Sequence, residues 1–369
     1  MNNNLPSQVV TKSALTQARK YLAHTAFTAL NRQIVDAYYD HHSDLKTWRG
    51  HRLCAIDGSQ LRLPAEADIA NEFGSLPGKK NQKDCPLALA SVYFDVLNHI
   101  SIDSSINHTS ASERECAAAH LQHSQPNDLT ILDRGYNAFW LYAFFSAHDQ
   151  AFCMRAKVNQ NLLCKAFVAS GKPEQIITLK PNKSSAEQCR LRGLSAQPLT
   201  IRLVRVELDN EVEVLITNLL DNDIYPTEEF KALYHLRWGI EENYKRLKQW
   251  TEIENFSGKS ALSVKQDFYA KILSTNLTAI LANAAQVKVN ENTTHRKQTY
   301  QINFAQALSK AKNTIVLWLG LTPDRLRIRI EQFVSYIACT IESVRDGRSF
   351  NRPKSKKNRI FYSAYKRAR

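Results

Sequence analysis

The residues Arg52-Leu-Cys-Ala-Ile-Asp57-Gly58 form a short apolar run that ends on a carboxylate and a glycine. The residues Asp128-Leu-Thr-Ile-Leu-Asp133-Arg-Gly-Tyr136 repeat this design further along the chain. Short apolar runs that stop at Asp and Gly are typical of buried β-strands followed by a turn. We therefore predict two strands, each of which delivers one acidic side chain, Asp57 or Asp133, where the strand ends.

Further elements are predicted around the second of these strands. Their apolar patterns cover residues 86–100 (strand), 101–106 (strand), 112–123 (helix), 138–147 (helix) and 152–158 (strand). The order is therefore three strands, a helix, a strand, a helix and a strand. This order is that of an α/β, ribonuclease-H-like fold, a mixed sheet with helices in which the first and fourth strands are neighbours. Such a fold would bring Asp57 and Asp133 together.

Composition divides the rest of the chain into further regions. Residues 159–199 are polar and rich in Lys and Ser, and the two strands after them form a hairpin across Asp209-Asn210. We predict a helical N-terminal DNA-binding region (1–48), a ribonuclease-H-like catalytic core in two pieces (49–158 and 218–290), a β-rich insertion before the last catalytic helix (159–217), a helical C-terminal region (291–344) and a basic tail (345–369). The two N-terminal helices fit either a helix-turn-helix reader of DNA or an ordinary helix pair with a basic face.

A long helix is predicted from Thr227, its N-cap, to about Trp250. In it, four polar residues follow the spacing Y-x2-R-x3-E-x6-K: Tyr234, Arg237, Glu241 and Lys248. At about 100° per residue, all four lie within about 60° of one another around the helix axis. A solvated face with ordinary ion pairs is the common explanation of such a stripe. The two carboxylates at strand ends favour a catalytic face instead.

The charge of the chain points to a polyanionic partner. The formal net charge is +14, and residues 345–369 hold ten Lys or Arg against one acidic residue, Asp346. No apolar run reaches the roughly 18 residues that a membrane-spanning helix needs, and the first residues lack the apolar core of a signal peptide. Seven cysteines without a CxxC pair predict reduced thiols and a cytoplasmic protein.

Three motifs in order carry a family resemblance. They are Ala55-Ile-Asp57-Gly-Ser59, Leu132-Asp133-Arg-Gly-Tyr136 and Tyr234-His-Leu-Arg237-Trp-Gly-Ile-Glu241-Glu-Asn-Tyr-Lys-Arg-Leu-Lys248. In these motifs the chain resembles DDE transposases of the insertion sequence 4 family, whose signature is named YREK. Any one motif alone would be a weak signal, whereas three in the right order are specific.

The resemblance implies a DNA transposase that performs metal-dependent cut-and-paste transposition of an insertion sequence. Its reaction would comprise strand nicking at terminal inverted repeats, attack by a 3′-hydroxyl and strand transfer into target DNA. Asp57, Asp133 and Glu241 would be both the catalytic residues and the ligands of two Mg²⁺ ions, for which Mn²⁺ could substitute. The residues expected to contact DNA are Tyr234, Arg237, Lys245, Lys248, Lys12, Arg19, Lys356 and Lys357.

The implied partners are double-stranded DNA, as transposon inverted repeats and as target, and a second copy of the chain in a synaptic homodimer. No membrane partner is expected, and the location would be the cytoplasm of a prokaryote, with the nucleoid when the protein is on DNA. Some transposases pass through a DNA hairpin, which needs an aromatic residue to hold a flipped base. Residues 159–217 contain a single aromatic residue, Phe167, so the sequence does not predict that step.

Two other functions and three other sites stay open at this point. The chain could be an inactive or domesticated relative that only binds DNA, or a ribonuclease-H-like nuclease without strand transfer. Minor sites, each less favoured than packing or an ordinary surface position, are a zinc site at Cys116, His120 and His123, base stacking by Trp140 or Trp238, and metal ligation by Asp95 or Asp103.

Overall fold

The computed structural model describes residues 11–41, 44–77, 84–158, 161–208 and 211–344. The hairpin turn predicted at residues 209–210 and the basic tail with Lys356 and Lys357 lie outside the described residues. Within the described ranges, no helix combines the length and the apolar character needed to span a membrane.

Helices and strands alternate through the first two thirds of the described chain, and helices dominate the rest. The helices are α1 (Lys12–Arg19), α2 (Thr25–His41), α3 (Ala67–Phe73), α4 (Glu113–His120), α5 (Phe139–Ala147), α6 (Leu162–Ala169), α7 (Lys183–Arg190), α8 (Glu229–His235), α9 (Trp238–Gln249), α10 (Ala261–Thr293), α11 (Phe304–Thr314) and α12 (Pro323–Ile337). The strands are β1 (Arg52–Arg62), β2 (Ser75–Leu76), β3 (Cys85–Asp95), β4 (Ile100–His108), β5 (Asp128–Leu132), β6 (Ala151–Ala156), β7 (Glu174–Leu179), β8 (Leu199–Glu207), β9 (Val212–Thr217), β10 (Tyr300–Ile302) and β11 (Ile341–Ser343).

One large mixed sheet organises the molecule. Its strand order in the described residues is β2-β3-β1-β5-β6-β9-β8-β7, with β4 also paired to β3. β1 is antiparallel to β3 and parallel to β5, and β5 is parallel to β6. The order β4-β3-β1-β5-β6, with a helix after β4 and another after β5, is the ribonuclease-H-like arrangement. The predicted fold class is confirmed.

The register of β1 and β5 sets the level of the two acidic residues. Arg52 is opposite Asp128, and the pairing runs in step to Ala55 and its partner on β5. Asp57 lies five residues after Arg52, and Asp133 lies five residues after Asp128. Because parallel strands in register advance together, the two carboxylates emerge at the same level of the sheet.

A buried ion pair joins the other ends of these two strands. Arg52 donates to both carboxylate oxygens of Asp128 at 2.7 Å, and the two side chains are 6% and 0% exposed. Tyr93 donates a third hydrogen bond to Asp128 at 2.6 Å, and the Tyr39 ring covers the guanidinium at 4.4 Å. Burial by itself would lower the pKa of Arg52, but the hydrogen bonds with Asp128 and the negative charges around the guanidinium together outweigh burial and raise it.

The prediction that the first strand ends at Asp57 was wrong. β1 continues to Arg62 and stays paired with β3 to the end, where Arg62 is opposite Leu87. Only its pairing with β5 stops, at Ala55. The Asp-Gly step therefore marks the point where one neighbouring strand leaves, and not the end of the strand itself. Asp57 lies where the sheet opens on that side.

Strand alternation decides which face of the sheet the carboxylates approach. Ala55 belongs to the core beneath α8, α9 and α10, whereas Ile56 belongs to the core beneath α4 and α5. Asp57 follows Ala55 by two residues, and Asp133 follows Ile131, of the same α9-side core, by two residues. Since alternate residues point to the same face, both acidic side chains start toward the face that α9 covers.

Residues 159–217 extend the main sheet. β9 pairs with β6, and β8 and β7 follow as the next two strands. Arg202 of β8 is fully buried and donates to Glu174, to Asn222 at 2.7 Å and to Thr227 at 2.7 Å. It therefore ties this region to the segment just before α8. The single aromatic residue here, Phe167, is 1% exposed and belongs to the core.

The terminal helices pack on the long helix α10. Asn31 of α2 is buried and accepts a hydrogen bond from Asn276 of α10 at 2.8 Å. Arg19, at the end of α1, pairs with Asp267 at 2.8 Å and donates to Gln266 at 2.6 Å. The Arg19 guanidinium therefore anchors α1 to the protein, and its predicted contact with DNA stays a prediction.

Candidate active site

The predicted catalytic helix is broken into two. α8 ends at His235 and α9 begins at Trp238. Between them the backbone hydrogen bonds span three residues instead of four: Arg237 N donates to Tyr234 O, and Ile240 N donates to Arg237 O, both at 3.1 Å. Close packing accompanies this break, since a Cβ on Gly239 would lie only 3.2 Å from Cβ of Val96. The prediction of one continuous helix was wrong.

Two tyrosines hold this helix pair against the strands that carry the acidic residues. Tyr244 of α9 donates to the carbonyl oxygen of Asp57 at 2.9 Å. Tyr234 of α8 is 7% exposed, and its hydroxyl lies 3.4 Å from the carbonyl oxygen of Leu132, the residue before Asp133. The tyrosines therefore contact the backbone at or next to both carboxylates. Tyr244 was not predicted as a site residue, although its three-residue spacing from Glu241 was a usable signal.

Arg237 links the third carboxylate to the first. Its guanidinium donates to Glu241 at 2.8 Å, and the two side chains are 9% and 28% exposed. Its positive charge also acts on Asp57, whose carboxylate it stabilises. Arg237 therefore acts on both Glu241 and Asp57, and Asp133 is close enough to Asp57 for its charge to raise the pKa of Asp57.

The two predicted lysines of α9 differ in their surroundings. Lys248 donates to the carbonyl oxygen of Gln60 at 3.1 Å and so lies along β1, three residues beyond Asp57. Lys245 pairs with Glu242 at 2.8 Å, and both side chains are 56% exposed. Lys248 is therefore the lysine nearer to the carboxylates. Lys12 begins α1, far along the chain from this site.

Asp57 is the most strongly perturbed carboxyl group of the site. The pKa of Asp57 is raised to about 7. Burial is the main cause, and the charges of Asp133 and Glu113 act in the same direction. The hydrogen bond from Gly58 N and the positive charge of Arg237 oppose the increase. A buried carboxyl group among other acids is costly to ionise unless a cation is close. The site therefore favours a positively charged ligand.

The carboxylate oxygens of the site suit a hard divalent cation, although their present conformations do not bring three of these side chains together as a complete ligand set. Asp57, Asp133 and Glu241 offer only carboxylate oxygens, the ligand type that Mg²⁺ and Mn²⁺ prefer. Asp57 accepts a bond from Gly58 N at 2.9 Å, and Asp133 accepts one from Gly135 N at 2.7 Å. Among the residues that the structure describes, no three His, Cys, Asp or Glu side chains form a ready metal site.

Two polar residues of the site were not predicted, and they approach from the other face. The charge of Glu113, the first residue of α4, raises the pKa of Asp57, and the charge of Asp133 raises the pKa of Glu113. Tyr136 is fully buried beside the same charges. Nothing in the local sequence separates Glu113 from Glu115, because both lie in the first turn of α4. Tyr136 lies in the Asp133 motif, but the sequence predicts no role for it.

Most of the alternative sites are engaged in structural contacts, whereas Trp238 is exposed. Both ring nitrogens of His120 are engaged, by Asp103 at 2.6 Å and by Ser91 at 3.0 Å, which leaves neither for zinc. Trp140 is 6% exposed, whereas Trp238 is 40% exposed. Asp95 is buried and accepts a hydrogen bond from Tyr39, far from the open end of β1.

We expect the pKa of Asp57 to make the metal-free protein less stable as the pH rises. Its pKa is 3.8 in the reference state and about 7 in the folded protein, so folding takes up a proton between these pH values. The free energy of unfolding should therefore decrease as the pH rises from about 4 to about 7. Each kcal/mol of this decrease should lower the Tm by roughly 2–4 °C. Thermal unfolding in chelator, from pH 5 to 8, measures it.

The variant Asp57→Asn supplies the comparison for this pH series. Asparagine does not titrate, so the difference in Tm between the variant and the wild type should widen in favour of the variant as the pH rises. Parallel Tm curves for the two proteins would contradict the perturbed pKa. Excess Mg²⁺ should reduce the difference, because a bound cation stabilises the ionised form.

Comparison with known proteins adds to this geometry. Residues 48–277 match the family model of the transposase DDE domain. The chain is also similar to transposase InsG for insertion sequence element IS4 of Escherichia coli strain K12, with 23% identity over 321 residues, which cover 86% of this chain and 70% of that relative. The matched family segment starts before β1 and ends within α10, and it includes Asp57, Asp133 and Glu241.

Proposed function

Because the chain belongs to the DDE transposases of the insertion sequence 4 family, we propose that this DNA transposase moves its element by metal-dependent cut-and-paste transposition. The steps would be nicking at the terminal inverted repeats, attack by the freed 3′-hydroxyl and strand transfer into target DNA. The observation that supports this proposal best is the common level of Asp57, on β1, and Asp133, directly after β5, on the face of the sheet that α9 with Glu241 covers.

In this proposal Asp57, Asp133 and Glu241 hold two Mg²⁺ ions, which Mn²⁺ can replace. When bound, two such ions would supply activation of a water or a 3′-hydroxyl and neutralisation of the leaving oxygen of a phosphodiester. Arg237 keeps the Glu241 carboxylate oriented through their 2.8 Å contact and provides a positive charge for a neighbouring phosphate. The high pKa of Asp57 means that cation binding displaces a proton from the site at neutral pH.

Positive side chains beside the carboxylates would hold the DNA backbone. Lys248 on the β1 side and Lys245 on the exposed side of α9 are the candidates from the catalytic helix. Tyr234 is almost fully buried, so we assign its ring to packing and its hydroxyl to the contact beside Asp133. The N-terminal helices and a second copy of the chain in a synaptic dimer complete the proposed complex.

We expect Lys248→Ala to weaken binding to inverted-repeat DNA. Each phosphate contact that is lost lowers the slope of log affinity against log salt concentration by about one. Fluorescence anisotropy with an inverted-repeat duplex, measured in Ca²⁺ at several salt concentrations, gives that slope. Lys172→Ala changes an exposed lysine just before β7, at the far edge of the sheet, and serves as the matched control. Equal slopes for the wild type and both variants would remove Lys248 from the interface.

Cleavage of a supercoiled plasmid that carries the element's ends tests the proposed reaction. We expect double-strand release of the element only with Mg²⁺ or Mn²⁺, and joined products when target DNA is added. Binding without cleavage would indicate an inactive DNA-binding relative, and cutting without joining would indicate a nuclease. The products also report on a hairpin intermediate, for which residues 159–217 offer no exposed aromatic side chain, since Phe167 is buried.

A further inference from the structure

The Glu113 side chain packs against Gly58 of β1, in space that any larger residue at position 58 would occupy. A Cβ on Gly58 would lie 2.7 Å from Oε1 and 3.0 Å from Cδ of Glu113, which is too close for any side chain to keep this arrangement. The carboxylate of Glu113 therefore lies against the backbone of the residue that follows Asp57. It reaches the site from the α4 side of the sheet, opposite to α9.

The Glu113 side chain is exposed and accessible to a ligand. Within the part of the chain that the structure describes, no ion pair or hydrogen bond engages its side chain. Glu115, two residues later on the same helix, pairs with Arg192 instead. Desolvation raises the pKa of Glu113, the charge of Asp133 raises it further, and the charge of Arg114 lowers it. The side chain is exposed, so water solvates its charge, and a cation bound beside it would relieve its repulsion with the neighbouring acidic groups.

A second, independent feature points to a missing ligand at the same place. Tyr136 is 0% exposed, and its hydroxyl has no hydrogen-bond partner among the described residues. Burial raises its pKa well above the usual value, and the charges of Asp57, Glu113 and Asp133 contribute, so the hydroxyl keeps its proton and remains a donor. A buried hydroxyl without an acceptor is unfavourable, so an oxygen-bearing ligand or a hydrated ion is expected beside it.

We propose that Glu113 is a fourth carboxylate of the metal centre, held in place by Gly58 and accompanied by the Tyr136 hydroxyl. This inference rests on the proposed function, since it adds a residue to the site that Asp57, Asp133 and Glu241 form. Glu113 would accept hydrogen bonds from the hydration shell of a bound cation or coordinate that cation directly. Both roles predict that the loss of its charge weakens cation binding before any DNA is present.

Binding of Mn²⁺ alone to the full chain tests the proposal. Free Mn²⁺ is measured by electron paramagnetic resonance during titration of the wild type, Glu113→Gln, Glu115→Gln and Asp57→Asn. We expect Glu113→Gln to weaken the affinity for Mn²⁺ by about tenfold or more, the range for residues that support metal ligands. Glu115→Gln is the matched control, because the same helix turn loses one surface charge, and it should bind as the wild type does.

The outcomes separate the two proposals. Wild-type affinity in Glu113→Gln, together with weakened binding in Asp57→Asn, overturns the role of Glu113 alone. Wild-type affinity in Asp57→Asn as well overturns the proposed metal site and thus the proposed function. Thermal unfolding in chelator detects a folding defect: Glu113→Gln should have a Tm no lower than that of the wild type, because the exposed Glu113 carboxylate is repelled by Asp57 and Asp133 and takes part in no ion pair among the described residues. A lower Tm would assign Glu113 to structure only.

Discussion

Asp133→Asn should lower the rate of cleavage at transposon ends by roughly a thousandfold or more, because several kcal/mol of transition-state stabilisation depend on the metal ions. The substitution keeps the size of the side chain and the acceptor for Gly135 N, which lies 2.7 Å away. It removes only the charge that binds a cation. The measurement is the initial rate of double-strand release from the supercoiled plasmid in Mg²⁺.

The same variant should bind inverted-repeat DNA at least as tightly as the wild type, since phosphate contacts determine most of that affinity. Asp149→Asn is the matched control, because Asp149 is an exposed residue between α5 and β6 and lies at the opposite end of the sheet. It should cleave at the wild-type rate. Full-rate cleavage by Asp133→Asn would exclude Asp133 from the catalytic site.

Asp128→Asn should destabilise the protein by about 3–5 kcal/mol, because it leaves the buried guanidinium of Arg52 without its counter-charge. The remaining amide oxygen can accept from Arg52 or from Tyr93, but it cannot compensate a full positive charge. We expect a fall in Tm of roughly 10 °C for a chain of this size. Thermal or urea-induced unfolding, followed by circular dichroism, measures the effect.

A surface pair provides the control for this prediction. Arg32 and Asp36 form an ion pair at 3.0 Å on one turn of α2, but their side chains are 46% and 50% exposed. Exposed pairs contribute about 0–1 kcal/mol, so Asp36→Asn should change the Tm by no more than a few degrees. Equal, small effects of Asp36→Asn and Asp128→Asn would show that the buried pair does not stabilise the sheet.

The predictions that held depended on local signals. Apolar runs that stop at Asp and Gly identified β1 and β5, and their order along the chain identified the fold class. The one-dimensional pattern also indicated that Arg237 and Glu241 would be neighbours, since residues four apart on a helix meet. These features need no knowledge of distant parts of the chain.

The predictions that failed or were missing depended on distant contacts. The break between α8 and α9 lies where Gly239 packs on Val96, 143 positions earlier in the chain. The ion pair of Arg19 with Asp267 of α10 was not predicted, and the predicted contact of Arg19 with DNA stays a prediction. Glu113 is distinguished from Glu115 only by the strand that it meets. Sequence patterns around each residue cannot show such partners.

The parallel pairing of β1 and β5 fixes the relative position of Asp57 and Asp133, because each acidic residue lies five residues after a paired residue, Arg52 or Asp128. The chain between the two strands can gain or lose residues in its connections without moving the acidic groups relative to each other. A single residue inserted between Arg52 and Asp57 would instead turn the Asp57 side chain to the α4 face and shift it along the sheet relative to Asp133. Natural variation in the length of this enzyme should therefore be confined to the connections, and engineered insertions will be tolerated only there.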